Sequence, residues 1–168
     1  MAEITIAMVK ELREATGAGV MDAKRALEEA AGDSKRAVEI LREKGVQAAA
    51  KRSDRATNQG VLEAYIHQNR IGVLVEINCE TDFVANTDDF RGLAKSIALQ
   101  IAAMNPQVVA PEDREGKDLI GTDAEVCLVS MPFIKEPSRT IGDLIRDAVA
   151  KTGENIRVSR FSRFELGR

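Results

Sequence analysis

The sequence is poor in the residue types from which most enzyme sites are built. It has one histidine, two cysteines and no tryptophan among 168 residues. The histidine, His67, has no nearby cysteine or serine to activate. No phosphate-binding glycine loop, metalloprotease motif or serine-hydrolase motif occurs. We therefore expect no enzyme and no cofactor, and a protein-binding module becomes the default expectation.

The two cysteines also exclude common site types. Cys79 and Cys127 lie far apart, match neither a redox CxxC pair nor a zinc-binding spacing, and both fall in apolar runs. This pattern predicts two buried free thiols in a reducing cytoplasm. It does not decide whether either thiol bonds to a second chain.

Membranes and polyanions are poor candidates for the partner. No stretch approaches the roughly 18 consecutive apolar residues of a membrane span, and charges interrupt the N-terminus where a secretory signal would be apolar. The formal net charge is only −3, and acidic side chains outnumber basic ones within residues 57–136. We expect a soluble, cytoplasmic protein that binds neither membrane nor nucleic acid directly.

Residues 4–44 have the periodicity of three short helices. Thr5 is the predicted N-cap of the first helix, and Gly17 and Gly19 separate it from the second. Asp33 is the predicted N-cap of the third helix, which is expected to end at Lys44 and Gly45. We assign residues 1–52 to this module.

An Ala-rich, then polar stretch follows and predicts a helical linker into a second domain, residues 53–168. From Gly60 the period becomes strand-like, and residues 61–66 and 71–79 flank a turn-prone HQNR segment. This pattern predicts a β-hairpin. The second strand is almost continuously apolar, so we expect it to be central and covered on both faces.

The rest of the chain alternates between helix and strand signals. A helical stripe begins at Phe90 after a cap at Asn86 or Thr87, and a second helix runs from a capping box at Thr140 to Gly153. The last segment reads as a strand in which Phe161 and Phe164 differ in parity, which suggests either a bulge or burial on two faces. Residues 124–136 fit either a strand or a short helix. The predicted fold class is α+β, with a small antiparallel sheet packed against helices.

One connection raises a functional question. The segment NCETDFVANTDDF, residues 78–90, places Phe83 among acidic side chains on a surface turn. Either Phe83 packs beneath its own loop, or it binds something else, since connecting loops often carry binding residues. Asp82, Asp88 and Asp89 lack the alternating ligands and central glycine of a calcium loop, so we expect no metal.

Three long strings resemble one family. They are ITIAMVKELREATGAGVMDAKRALEEAAGD at residues 4–33, YIHQNRIGVLVEINCETDFVAN at residues 65–86, and MPFIKEPSRTIGDL at residues 131–144 with RFELG near the end. They are similar to the signatures of bacterial translation elongation factor Ts. The matches span nearly the whole chain.

The resemblance implies a nucleotide exchange factor for elongation factor Tu. It implies that Asp82 and Phe83 of the TDFV motif, which also contains Thr81 and Val84, insert beside the magnesium site of that GTPase. It further implies a ubiquitin-associated-like N-terminal module that docks on the GTPase. Residues at matching positions that would contact it are Arg13, Met21, Lys24 and His67.

The resemblance also implies an oligomeric state. Longer family members carry two homologous core halves, whereas this chain has one, and short members form homodimers that supply both halves. We therefore expect a homodimer that covers the open face or edge of the small sheet.

Three other functions compete with this one. A generic ubiquitin-associated-type adaptor accounts for the helical module but leaves the TDFV loop without a role. A nucleic-acid-binding protein would use Lys51, Arg52 and Arg55. A metal hydrolase built on the aspartates is the remaining alternative.

Overall fold

The fold is known from a computed structural model that describes residues 4–168. These residues form seven α-helices, two short 3₁₀ helices and five strands. In chain order they are α1 (Ile6–Thr16), α2 (Val20–Glu29), α3 (Ser34–Ala50), β1 (Gln59–His67), β2 (Ile71–Cys79), α4 (Asp82–Ala85), α5 (Asp88–Met104), a 3₁₀ helix (Pro111–Arg114), α6 (Asp123–Val126), a second 3₁₀ helix (Leu128–Ser130), β3 (Pro132–Phe133), β4 (Glu136–Thr140), α7 (Ile141–Thr152) and β5 (Arg157–Glu165). The α+β prediction is confirmed.

Helix α1 begins and ends, and α3 begins, where the capping residues predict. The Thr5 hydroxyl accepts a hydrogen bond from the Met8 amide (3.3 Å), and Asp33 accepts from the amides of Lys35 (2.9 Å) and Arg36 (3.1 Å). Gly17 ends α1 in the left-handed conformation, with φ of 71°. The three helices share their own small core, formed by Leu12, Ala23, Ala26, Leu27, Ala30, Ala37 and Ile40.

The predicted end of α3 at Gly45 is wrong, because the helix continues to Ala50. A Cβ at Gly45 would lie 3.6 Å from the Ala150 Cβ on α7, so the glycine faces a neighbouring helix and does not form a cap. Farther along α3, Ala49 packs against the main core. Tertiary packing therefore overrides the local termination signal.

The main sheet has the strand order β1-β2-β5 and is antiparallel throughout. The hairpin prediction is confirmed, and both central turn residues, Gln68 (φ 48°) and Asn69 (φ 56°), are left-handed, as in a type I′ turn. Strand β2 is central, as predicted. Its alternate residues Val73, Val75, Ile77 and Cys79 are buried against α5.

Within a single chain, the expectation that β2 is covered on both faces is wrong. Leu74 points to the opposite face and is 48% exposed. Around it, Leu62 and Ile66 of β1 and Phe164 of β5 are also exposed. The near-continuous apolar sequence of β2 thus reflects one buried face and an outer face on which Leu74 is open to solvent beside the polar side chains of Glu76 and Asn78.

Helix α5 covers the inner face of the sheet. Thr87 is its N-cap and accepts from the Phe90 amide (3.2 Å), and Phe90, Leu93, Ile97 and Ile101 are buried as predicted, whereas Met104, the last residue of the same stripe, is exposed. The fully buried Gln100 amide donates to the Pro132 carbonyl and accepts from the Ile134 amide, both at 2.9 Å. It thereby fixes the small β3–β4 hairpin to the core.

The remaining elements settle the segments that the sequence left open. Residues 124–136 contain the end of α6, a 3₁₀ turn and the short strand β3, so both helix and strand occur there. The α7 capping box and the Gly153 terminus are confirmed. Strand β5 contains a bulge, since its register shifts opposite Glu76 and Ile77. The bulge lies before Phe161, however, so the parity of the two phenylalanines reflects opposite faces of the sheet: Phe161 packs against the core and Phe164 is exposed.

The cysteine prediction is confirmed in its structural part: Cys79 and Cys127 are free and buried. Burial raises the pKa of both thiols. Within residues 4–168, no helix has the length and apolar character needed to cross a membrane.

Candidate partner-binding site

Phe83 lies on a single helical turn between β2 and α5, which we call the Phe83 turn (residues 80–85). Thr81 caps this turn, and its hydroxyl accepts from the Val84 amide (3.4 Å). Val84 packs against the main core and Ala85 is buried, whereas Asp82 and Phe83 are exposed. The side chain of Phe83 is 83% exposed. It therefore does not pack beneath its own loop.

This exposure is unusual for a phenylalanine in an ordered segment. Burying such a side chain typically stabilises a fold by about 1.5–3 kcal/mol. The exposed Phe83 side chain does not contribute this stabilisation to the fold. Aromatic side chains that project from a rigid mount are typical anchors of protein interfaces. The geometry of the turn thus favours a partner that supplies the missing pocket.

The base of the Phe83 turn is tied to the segment that follows α7. The Glu154 carboxylate accepts hydrogen bonds from the amides of Glu80 (3.1 Å) and Thr81 (3.0 Å) and from the Thr81 hydroxyl (2.6 Å). The Cys79 thiol donates to the Thr81 carbonyl (3.1 Å). Sequence reasoning missed Glu154, because no local pattern marks a contact that spans 73 residues.

The candidate residues of the helical module lie near the α1–α2 turn. Arg13 donates from Nε to the Ala18 carbonyl (3.4 Å) across that turn. Met21 is 57% exposed, so it is not part of the core, and the neighbouring Val20 is exposed as well. Lys24 is exposed and pairs with Glu28 at 3.8 Å.

His67 lies in a third place, at the end of β1. It is exposed, and its Nδ1 lies 3.1 Å from the Tyr65 hydroxyl. Among the hydrogen bonds and ion pairs of residues 4–168, none joins His67 or the α1–α2 turn to the Phe83 turn. A partner that uses all three regions must span them.

Two alternative sites find little support in the described part of the chain. There, no group of three or more histidine, cysteine, aspartate or glutamate side chains is arranged to hold a metal ion. Asp89 is instead paired with Lys151 (2.6 Å). In the basic cluster, Arg55 is paired with Glu80 at 3.4 Å, so one of its three cations already has an acidic partner within the chain.

Comparison with known proteins decides the family. The family model described as "Elongation factor TS" matches residues 2–121. A protein named Elongation factor Ts from Carboxydothermus hydrogenoformans is 52% identical, over 98% of this chain and 89% of the relative. The chain belongs to the elongation factor Ts family.

Other relatives with the same name agree. The proteins from Desulforamulus reducens (48% identical, over 99% of this chain and 91% of the relative) and Thermodesulfovibrio yellowstonii (46% identical, 98% and 96%) are both Elongation factor Ts. Membership of the elongation factor Ts family places this chain among the elongation factors of protein synthesis. The alignments are longer than the chain, so these relatives carry internal residues with no counterpart here.

Proposed function

We propose that this protein is a guanine nucleotide exchange factor for elongation factor Tu. In this proposal it catalyses no bond chemistry and accelerates the release of GDP by binding the GTPase in the cytoplasm. Family membership supports the class of activity. The observation that carries the proposal is the exposed Phe83 side chain on an otherwise anchored turn.

The proposed mechanism uses Asp82 and Phe83 as a wedge. Phe83 inserts between two helices of the GTPase beside its magnesium site, and Asp82 enters with it. Because the turn is held at Thr81, Val84 and Ala85, insertion orders few new groups. An unrestrained side chain would lose about 0.5–1.5 kcal/mol of ordering entropy on binding.

Reciprocal coupling explains how such a factor turns over. If the protein lowers the affinity of the GTPase for nucleotide, then bound nucleotide lowers the affinity of the GTPase for the protein by the same factor. Entry of GTP into the open complex therefore promotes release of the exchange factor. No chemical step on the factor itself is needed.

The helical module and His67 are proposed to supply affinity. We assign residues 1–52 to a ubiquitin-associated-like module that docks on the GTPase through Arg13, Met21 and Lys24. The exposed Met21 offers apolar area there, and Arg13 and Lys24 are exposed cations. His67 would make a separate contact from the hairpin.

Nucleotide release tests the proposal. Elongation factor Tu loaded with a fluorescent GDP analogue is mixed with excess unlabelled GDP, with and without this protein. We expect the release rate to rise with protein concentration and then to saturate. An unrelated GTPase loaded with the same analogue is the specificity control, and an unchanged release rate from elongation factor Tu contradicts the proposal.

We also propose a homodimer in which residues 53–168 form the dimerisation domain. The open face of the main sheet carries the exposed side chains of Leu62, Ile66, Leu74 and Phe164. Ile66 and Phe164 both lie opposite Gly72 in the register, so the apolar side chains cross all three strands. Contiguous apolar surface of this kind is typical of an interface, and a second copy presents the same surface in return.

A further inference from the structure

We infer that Glu154 is a positioning residue for nucleotide exchange: its carboxylate fixes the base of the Phe83 turn and so sets the direction in which Phe83 projects. This inference rests on the proposed function. Glu154 belongs to a different part of the chain and does not take part in the TDFV motif. It would act through Thr81 and not through contact with the GTPase.

Glu154 is well placed to hold the turn. Gly153 ends α7 with φ of 75°, and the chain then passes directly to Glu154 and β5. The Glu154 amide donates to the Thr152 hydroxyl (3.3 Å), which fixes the residue at the helix end. From there its carboxylate accepts three hydrogen bonds from Glu80 and Thr81.

The hydrogen bonds between residues 80–81 and residues 154–155 run in both directions. The Glu80 carboxylate accepts from the Asn155 amide at 2.6 Å, so each of the two segments provides both an acceptor carboxylate and backbone donors. The buried Asn155 side chain donates to the carbonyls of Ser53 (3.1 Å) and Arg55 (3.0 Å). The segment after α7 therefore joins the end of β2 to the chain that leaves α3.

The Thr81 hydroxyl connects the hydrogen bonds of Glu154 to the helical turn that carries Phe83. Its proton is donated to Glu154, which leaves an oxygen lone pair to accept from the Val84 amide and cap α4. A helix of four residues has almost no stability of its own, since nucleation is costly and propagation has barely begun. The cap and the core contacts of Val84 and Ala85 therefore determine whether the turn forms.

Two substitutions at Glu154 separate positioning from charge. Glu154→Ala removes all three hydrogen bonds, and we expect the saturated rate of GDP release to fall by about tenfold or more, as misplaced reacting groups typically cause. Glu154→Gln keeps an oxygen for the two amides, and its N–H can donate to the Thr81 oxygen if the hydroxyl proton turns away, which reverses the direction of that bond. It should restore the rate to within about threefold of the unsubstituted protein.

Glu125 offers a matched control. Its carboxylate accepts from the Thr122 amide (2.7 Å) and the Thr122 hydroxyl (2.9 Å), so it also binds a threonine amide and hydroxyl, but locally, in the capping box of α6. Glu125→Ala should leave the saturated rate unchanged. If Glu125→Ala slows exchange as much as Glu154→Ala does, the effect of Glu154 is general destabilisation and the inference fails.

A double-mutant cycle with Phe83→Ala distinguishes the inference from the proposed function. If Glu154 acts by directing Phe83, then Glu154→Ala should have no further effect once Phe83 is absent. Independent, multiplying effects would overturn the positioning role. If Phe83→Ala slows GDP release and Glu154→Ala does not, the proposed role of Phe83 stands and only the positioning role of Glu154 is rejected. If neither variant slows GDP release, both proposals are rejected.

Amide hydrogen exchange tests the hydrogen bonds of Glu154 to Glu80 and Thr81 in the absence of the GTPase. In Glu154→Ala the amides of Glu80 and Thr81 should exchange at least about tenfold faster, while β2 amides keep their protection. Unchanged protection of those two amides would show that Glu154 does not hold the turn, whatever the nucleotide assay reports.

Discussion

Phe83 and Phe90 lie seven positions apart and have opposite surroundings. Phe83 is 83% exposed, whereas Phe90 is 1% exposed and belongs to the main core. Their sequence contexts differ less than this, because both are preceded by acidic side chains near a helix start. The difference arises from the α5 stripe, which places Phe90 but not Phe83 against the sheet.

Substitution of the two phenylalanines should separate folding from function. Phe90→Ala leaves a core cavity and should lower the free energy of unfolding by about 3–5 kcal/mol. Phe83→Ala removes an exposed ring and should change it by no more than about 0.5 kcal/mol. Urea denaturation measures both. A Phe83→Ala protein that unfolds as readily as Phe90→Ala would show that Phe83 is a core residue.

At the scale of single residues, sequence reasoning identified side chains whose signal is local. The capping residues Thr5, Asp33 and Thr140 form the predicted hydrogen bonds. Glu154 could not be found in this way, since its partners at Glu80 and Thr81 are distant in sequence. Local sequence patterns indicate hydrogen bonds between residues a few positions apart. They do not indicate hydrogen bonds between residues that are distant in sequence.

At the scale of elements, the joint between α3 and α7 connects the helical module to the core. Asp143 near the start of α7 lies 2.9 Å from Arg42 on α3 and also pairs with Arg146. Burial alone would raise the pKa of Asp143. Hydrogen bonds from the Thr140 amide and hydroxyl and from the two guanidinium groups outweigh burial and hold that pKa well below its usual value.

This lowered pKa predicts a pH dependence of stability. The unfolded chain takes up the Asp143 proton near the usual aspartate pKa of about 3.9, and the folded chain does so only at lower pH. The contribution of Asp143 is therefore complete above about pH 5 and is lost as the pH falls below about 4. Asp143→Asn should lower the free energy of unfolding at pH 7 by about 1–3 kcal/mol. It should also reduce the loss of that free energy as the pH falls.

Urea denaturation from pH 7 to pH 3 provides the measurement. Asp118→Asn is a suitable control, because Asp118 is exposed and forms no ion pair within residues 4–168. It should keep the pH profile of the unsubstituted protein. An Asp143→Asn protein with an unchanged acid limb would show that the α3–α7 joint does not depend on this carboxylate.

The elements also show where pattern reasoning fails. The predicted helices α1, α2, α3 and α5 and the strands β1 and β2 are present, because each is marked by its periodicity, whereas the predicted helical linker continues α3 only to Ala50. The two errors, at Gly45 and on the outer face of β2, both concern what lies against an element. A glycine that faces Ala150 has the same local sequence as a glycine that caps a helix. Likewise, an apolar strand with one face open to solvent has the same local sequence as a strand buried on both faces.

At the scale of the whole molecule, the helical module should govern affinity more than exchange. Met21→Ala and Lys24→Ala should raise the concentration for half-maximal exchange by about tenfold, as loss of an interface anchor does, and leave the saturated rate unchanged. Lys10→Ala is the matched control, since Lys10 pairs with Glu14 at 3.8 Å, as Lys24 does with Glu28. A lower saturated rate at unchanged half-maximal concentration would contradict this division of roles.

The open sheet face predicts the oligomeric state. We expect a dimer in sedimentation equilibrium at micromolar concentration, and Leu74→Glu should convert it to a folded monomer because each chain would bury an unpaired charge in the interface. Ile120→Glu is the control, since Ile120 is 91% exposed but lies outside the sheet. An unsubstituted protein that is monomeric, or a Leu74→Glu protein that stays dimeric, would reject this interface.

If the exposed Phe83 side chain drives nucleotide exchange, its removal should lower the saturated rate of GDP release, which is the most direct measurement of its role. Stopped-flow release of a fluorescent GDP analogue from elongation factor Tu is measured at increasing concentrations of the unsubstituted protein and of Phe83→Ala. We predict that Phe83→Ala reaches a plateau at least about tenfold lower, as expected for loss of an interface anchor, with its fold intact. An equal plateau for the two proteins would contradict the account.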